Sequence, residues 1–105
     1  MGEKGMIIRG TTPTLTFGLP FEADLLETGF VIIQQQSATV IEKELSACEC
    51  SGRTVSAKLT QEESLKLSSD QNAEIRLVVK TVSGDRLETK PIFDKVVDTS
   101  KDGVI

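Results

Sequence analysis

The 105-residue chain has no histidine, no tryptophan and no tyrosine, and only two cysteines and three prolines. Each shortage removes a class of chemistry. Without an imidazole there is no Ser-His-Asp or Cys-His nucleophile, which excludes the commonest hydrolytic designs. The only aromatic residues are four phenylalanines. Phe17, Phe30 and Phe93 sit in strand patterns that call for core, so few rings remain to stack on sugars or single-stranded nucleic acid. The formal charge of -4 is spread evenly, without the basic cluster that marks a nucleic-acid partner. No apolar run approaches the roughly 18 residues of a membrane helix, and the first residues lack a basic segment leading into an apolar one. The sequence therefore predicts a soluble protein with no secretion signal, no nucleic-acid partner and no membrane partner.

Phosphate chemistry fares no better, because Gly2, Gly5 and Gly10 precede a strand pattern rather than opening a helix. Cys48 and Cys50 flank Glu49 in an extended-looking segment, which points both thiols to one face of one strand. Neighbours held that way do not close a disulfide. A zinc site would need two further ligands, and without histidine or a third cysteine they would have to come from a second subunit. Two free thiols in a reducing compartment are expected, with no metal and no cofactor. The carboxylate pairs Glu62 with Glu63, Glu22 with Asp24 and Asp94 with Asp98 are read as a helix cap, a loop and a strand's wet face rather than as acid/base pairs. No catalytic residue, no enzyme activity and no small-molecule substrate is predicted.

What the chain does contain is a period of two. Over residues 72–98, Ala73, Ile75, Leu77 and Val79 alternate with Glu74, Arg76 and Lys80, break at Ser83-Gly84-Asp85 and resume in a second extended run. That is a hairpin with one dry and one wet face. Earlier segments repeat the pattern. Met6 starts a short strand that ends at Gly10; Leu15, Phe17 and Leu19 share a face; Pro20 stops that run, and 21–26 reads as one helical turn or a compact plug. Residues 30–36 begin with four apolar positions, suited to a strand buried on both faces. Ser37-Ala38 turns into 39–45, and the cysteine strand turns at Ser51-Gly52 into 53–59, where Val55, Ala57 and Leu59 point inward.

Thr60-Gln61-Glu62-Glu63 matches a capping box and starts a short helix over 61–67, from which Leu65 is placed to reach the core. Pro91 cannot donate to a ladder, so the last strand belongs at an edge or beside a bulge, where its apolar phase also shifts. About seven short strands at this spacing predict an all-β, two-layer antiparallel sandwich. The organisation expected is a flexible terminus or cloning remnant over 1–5, one domain over 6–98 and a tail over 99–105, whose Val104 and Ile105 either pack back or dock on a neighbour.

The segments MIIRGTTPTLTFGLPFEADLL, VSAKLTQEESLKL, EIRLVVKTVSGD and KDGVI resemble a family of small proteins encoded in prophages of Gram-positive bacteria, near tail and structural genes. The resemblance runs from Met6 to Ile105. A looser similarity extends to the immunoglobulin-like N-terminal domains of phage baseplate upper proteins, where a turn like Leu59-Thr60-Gln61-Glu62-Glu63 precedes a final hairpin. Read on its own, the sequence is expected to be the sandwich module without the fibre or receptor-binding extension that follows there. The resemblance implies an immunoglobulin-like sandwich and a structural component of a phage tail or baseplate. Such a component binds itself and neighbouring tail proteins, in the bacterial host cytoplasm during assembly and then in the virion. A cytoplasmic prophage accessory protein that binds a host or phage protein is the alternative. Edge strands and chain ends nominate Ile7, Arg9, Pro91, Val104 and Ile105 as partner contacts.

Overall fold

In the computed structural model, residues 6–101 and 103–105 are described, and the terminus expected over 1–5 lies outside them. Strict alternation makes β7 (Ala73–Thr81) the spine: Ala73, Ile75, Leu77, Val79 and Thr81 are buried while the residues between them are not. Along one side β7 pairs antiparallel with β3 (Leu26–Gln35), which in turn pairs with β4 (Ala38–Glu44). Along its other side lie β8 (Arg86–Glu88) and β9 (Ile92–Val97), and β9 carries β1 (Met6–Ile8) at the sheet's edge. A second sheet, in the order β2 (Thr14–Gly18), β6 (Thr54–Lys58), β5 (Glu49–Ser51), closes over the first. Between them Phe17, Val55, Ala57 and Leu59 meet Val31, Ile33, Ile75, Leu77, Ile7 and Val96 in one apolar cluster. The expected two-layer sandwich is formed.

Nine strands are present among the described residues, rather than about seven, chiefly because the last arm of the long hairpin divides. Val79 pairs with Leu87 and Ile75 with Ile92. Between those pairs β7 moves four residues (79 − 75) and the opposite arm five (92 − 87). The extra residue lies in Thr89-Lys90-Pro91, where Pro91 has no ladder place, as its missing N–H requires. Thr89 closes the break by donating its amide to the Leu77 carbonyl and accepting the Leu77 amide on its hydroxyl, each at 2.9 Å. A shift of one residue turns every later side chain over. Asp94, read from the sequence as wet, is consequently opposite Ala73 on the dry face and buried.

Further corrections concern packing. β1 and β9 run parallel, not antiparallel; they are the first and last strands, so no hairpin constrains their direction. β3 starts at Leu26, four residues before its apolar run, directly after a 3-10 turn at Ala23–Leu25, and only its inward face is buried, Phe30 and Ile32 being half-buried. Gly29 within it is buried, and a Cβ there would stand 2.9 Å from the Val78 carbonyl oxygen and from Val79 Cγ1, so only glycine lets β3 lie this close to β7. The β3–β4 turn is Gln36-Ser37, both with positive φ (52° and 67°), the hairpin geometry that twists with its strands. Helix α1 (Gln61–Leu65) carries the expected capping box but ends two residues early. It therefore buries Ser64 and, just beyond it, Leu67, while Leu65 is only half-buried.

Candidate protein-interaction surface

The nominated contacts separate into those that hold the fold and those that face outward. Ile7 is fully buried in the core. A three-residue strand shows no period from which its inner face can be read, and the outward positions of β1 are Met6 and Ile8. Arg9 is an internal clamp rather than a free contact. Its Nε donates to the Leu67 carbonyl at 2.7 Å, Nη2 to the Leu65 carbonyl at 3.0 Å and Nη1 to Asp98 Oδ1 at 2.6 Å. The two carbonyls lie at and just beyond the end of α1, where backbone acceptors lack helical partners, and a forked guanidinium is suited to reach both. Asp98 is held below the ordinary aspartate range, first by the Thr99 amide and then by Arg9.

Ser64 completes the joint by accepting the Gly10 amide at 2.9 Å and donating to the Thr11 carbonyl at 2.7 Å. Burial pushes Glu63 up, yet the Thr60 amide and the Lys43 ammonium outweigh it and hold the carboxyl below the ordinary glutamate range. Lys43 Nζ lies 3.1 Å from Glu63 Oε1, so this carboxylate is spent on the cap and on an ion pair that ties α1 to β4. Gln35 does similar work in the loop after α1: its side chain accepts the Ser68 amide at 2.8 Å and donates to the Ser68 and Gln71 carbonyls. Nothing in the local pattern around Arg9, Ser64 or Gln35 announces these roles, since each partner lies more than thirty residues away in the chain.

The tail packs back through its backbone. Ile105 donates its amide to Gln61 Oε1 at 2.8 Å and accepts from Gln61 Nε2 at 3.1 Å, which leaves the Val104 and Ile105 side chains exposed. Pro91 is exposed at the β8–β9 break. The tail and the β1 end thus meet around α1, while Pro91 takes no part in that joint. Cys48 is half-buried and Cys50 exposed, both free; burial and then the neighbouring Cys50 push the Cys48 thiol up, which makes it a poor nucleophile.

An outward apolar display lies on the exposed face of the larger sheet. Register places Met6 and Ile8 of β1 beside Lys95 and Val97 of β9, with Phe93 one step further along β9. Met6 and Phe93 are each 56% exposed and Ile8 is 38% exposed. Toward the sheet's centre, Phe30, Ile32 and Val78 line an open depression of about 270 Å³ above Gly29, with Lys80 and Arg86 among its walls. Arg76 pairs with Glu74, and its Nη1 lies 3.2 Å from Glu88, so a bridged charge group separates the two apolar areas. Apolar areas interrupted by paired charges are a common make-up of protein–protein contact surfaces.

Among the described residues, no group of three or more cysteine or carboxylate side chains could hold a metal ion, and no helix is long and apolar enough to cross a membrane. No protein-family model and no curated protein sequence matches the chain. A solved structure does: the immunoglobulin-like domain of mouse leukocyte-associated immunoglobulin-like receptor 1, a strand-swapped dimer. It has a TM-score of 0.52 at 16% identity, covering 88% of this chain and 85% of that one. Two sheets, their strand order and this likeness together make the fold an immunoglobulin-like β-sandwich.

Proposed function

We propose that this chain is a non-enzymatic structural protein of a phage or prophage, a tail or baseplate component that assembles with tail proteins and with copies of itself. The single observation that carries the contact mechanism is the exposure of Met6, Ile8 and Phe93 on one sheet face, around Lys95, where a domain working alone gains solubility from polar residues. The phage assignment draws on the resemblance of the four segments named above. Binding energy comes from burying that strip and the depression over Gly29, while Lys80, Arg86 and the Arg76 cluster set orientation. The protein resides in the host cytoplasm during assembly and in the virion afterwards.

Mass spectrometry of density-banded particles from an induced lysogen tests this reading. The protein is expected in several copies per particle, and the purified chain is expected to sediment as a ring-sized oligomer or to join one when tail proteins are added. Its absence from every particle and tail subassembly would overturn the assignment. Recovery with a cytoplasmic host protein instead would establish the accessory role.

A further inference from the structure

Among the described residues β2 has a partner on one side only. Leu59 donates to the Pro13 carbonyl at 2.9 Å and Leu19 to the Arg53 carbonyl at 2.7 Å, so the odd-numbered residues 13–19 make the ladder bonds with β6. Alternation then turns the backbone N–H and C=O groups of Thr14, Thr16 and Gly18 outward. Among the described residues no strand covers them, since β2 ends the order of its sheet. A bare edge is a template for an added strand.

This edge also opens onto a cleft. Thr14, Leu15, Thr16 and Phe17 of β2 line it on one side, and Ile75 of β7 with Ile92 and Asp94 of β9 line it on the other, around a volume of about 190 Å³. Asp94 is only 7% exposed, and among the described residues no hydrogen bond or ion pair reaches its carboxylate. No buried side-chain oxygen in the described residues lacks a partner, so its carboxylate oxygens keep their solvent contact through the cleft. Burial alone pushes its carboxyl above the ordinary aspartate range, and no charged residue shares the cleft walls.

A strand laid on β2 would send alternate side chains to the same side as Leu15 and Phe17, into this cleft. An anionic side chain would meet a like charge there. An apolar one would strip water from the carboxylate without replacing it. A lysine or arginine would lay its stem along Leu15, Phe17, Ile75 and Ile92 and bring its cation to the carboxylate. We propose that the cleft between β2 and β9 binds an extended peptide that adds a strand to β2 and inserts a basic side chain toward Asp94. This surface is distinct from the Phe93 face, so the failure of either proposal leaves the other standing.

The test uses the full chain, isotope-labelled, titrated with a capped nonapeptide of alternating valine and threonine carrying one central lysine. Companion peptides carry norleucine or glutamate at that place. The lysine peptide is expected to shift the amides of Thr14, Thr16, Gly18 and Asp94 and to bind about tenfold more tightly than the norleucine peptide. Asp94→Asn is expected to bring the two peptides to equal affinity, and Thr16→Pro, which removes one outward donor, to abolish binding of all three. Equal affinity of the lysine and norleucine peptides for the unaltered chain would overturn the proposal. So would shifts confined to other residues, or β2 amides already protected by self-association of the free protein.

Discussion

The two sheets are built to different standards. In the larger one, β3 and β7 are ten and nine residues long and pair over most of that length, so Val31, Ile33, Ile75, Leu77 and Val79 form a nearly dry inner face. In the smaller one, β2 and β6 are five residues each and β5 three, and one margin of β2 is bare. The long pair fixes the register of the molecule, whereas the short sheet acts as a cover whose rim stays available. The register-setting pair and the bare margin of β2 thus lie in separate layers, and the outer face of the rigid layer can carry apolar side chains without loosening the core.

The contrast breaks most severely at the centre of the spine. Leu77→Ala is expected to cost about 3 kcal/mol, against about 2 kcal/mol for Val55→Ala in the smaller sheet, both read from urea unfolding. Gly29→Ala attacks the β3–β7 approach instead of the core and is expected to cost about 2 kcal/mol, with faster amide exchange at Val78 and Val79. Arg9→Ala loosens the joint that ties β1 to α1, at about 1.5 kcal/mol, and Arg9→Lys should recover less than half, because one ammonium cannot serve three acceptors spread across the joint.

Asp94→Asn sharpens the comparison at the rim. The native carboxyl is raised by burial, so its favourable contribution is complete below the unfolded value, near pH 4, and is lost as pH rises through the folded one. The variant should therefore be more stable than the native protein at pH 7, and the gap should close in unfolding curves taken below about pH 4. Smallest is Ser37→Gly in the β3–β4 turn, where φ is +67°: a gain of about 0.5 kcal/mol, seen as a higher urea midpoint.

These regions also differ in how far the sequence discloses them. β7 reads directly because Ala73, Ile75, Leu77 and Val79 keep a period of two beside polar neighbours, and the cap of α1 reads directly because Thr60 and Glu63 stand three apart. Local pattern is sufficient where the physics is local. Asp94 reads as wet although it is buried, because one extra residue near Pro91 inverts everything after it, and an alternating pattern can signal a phase shift without counting it. Ile7, Arg9 and Ser64 depend on contacts between distant segments; β1 is too short to show a face, and an arginine next to a turn looks the same whether it meets water or two carbonyls. The outer strip is illegible for a related reason, as Phe93 fits a core pattern until the bulge turns it outward.

Affinity capture of tail proteins from an induced lysogen puts the working face itself to the test, using tagged native chain, Phe93→Lys and Thr16→Pro, each first shown to unfold at the native urea midpoint. The account predicts that the native chain and Thr16→Pro retain the same tail or baseplate proteins in equal yield, and that Phe93→Lys retains none. Equal capture by Phe93→Lys, or no tail protein on the native chain, would contradict it.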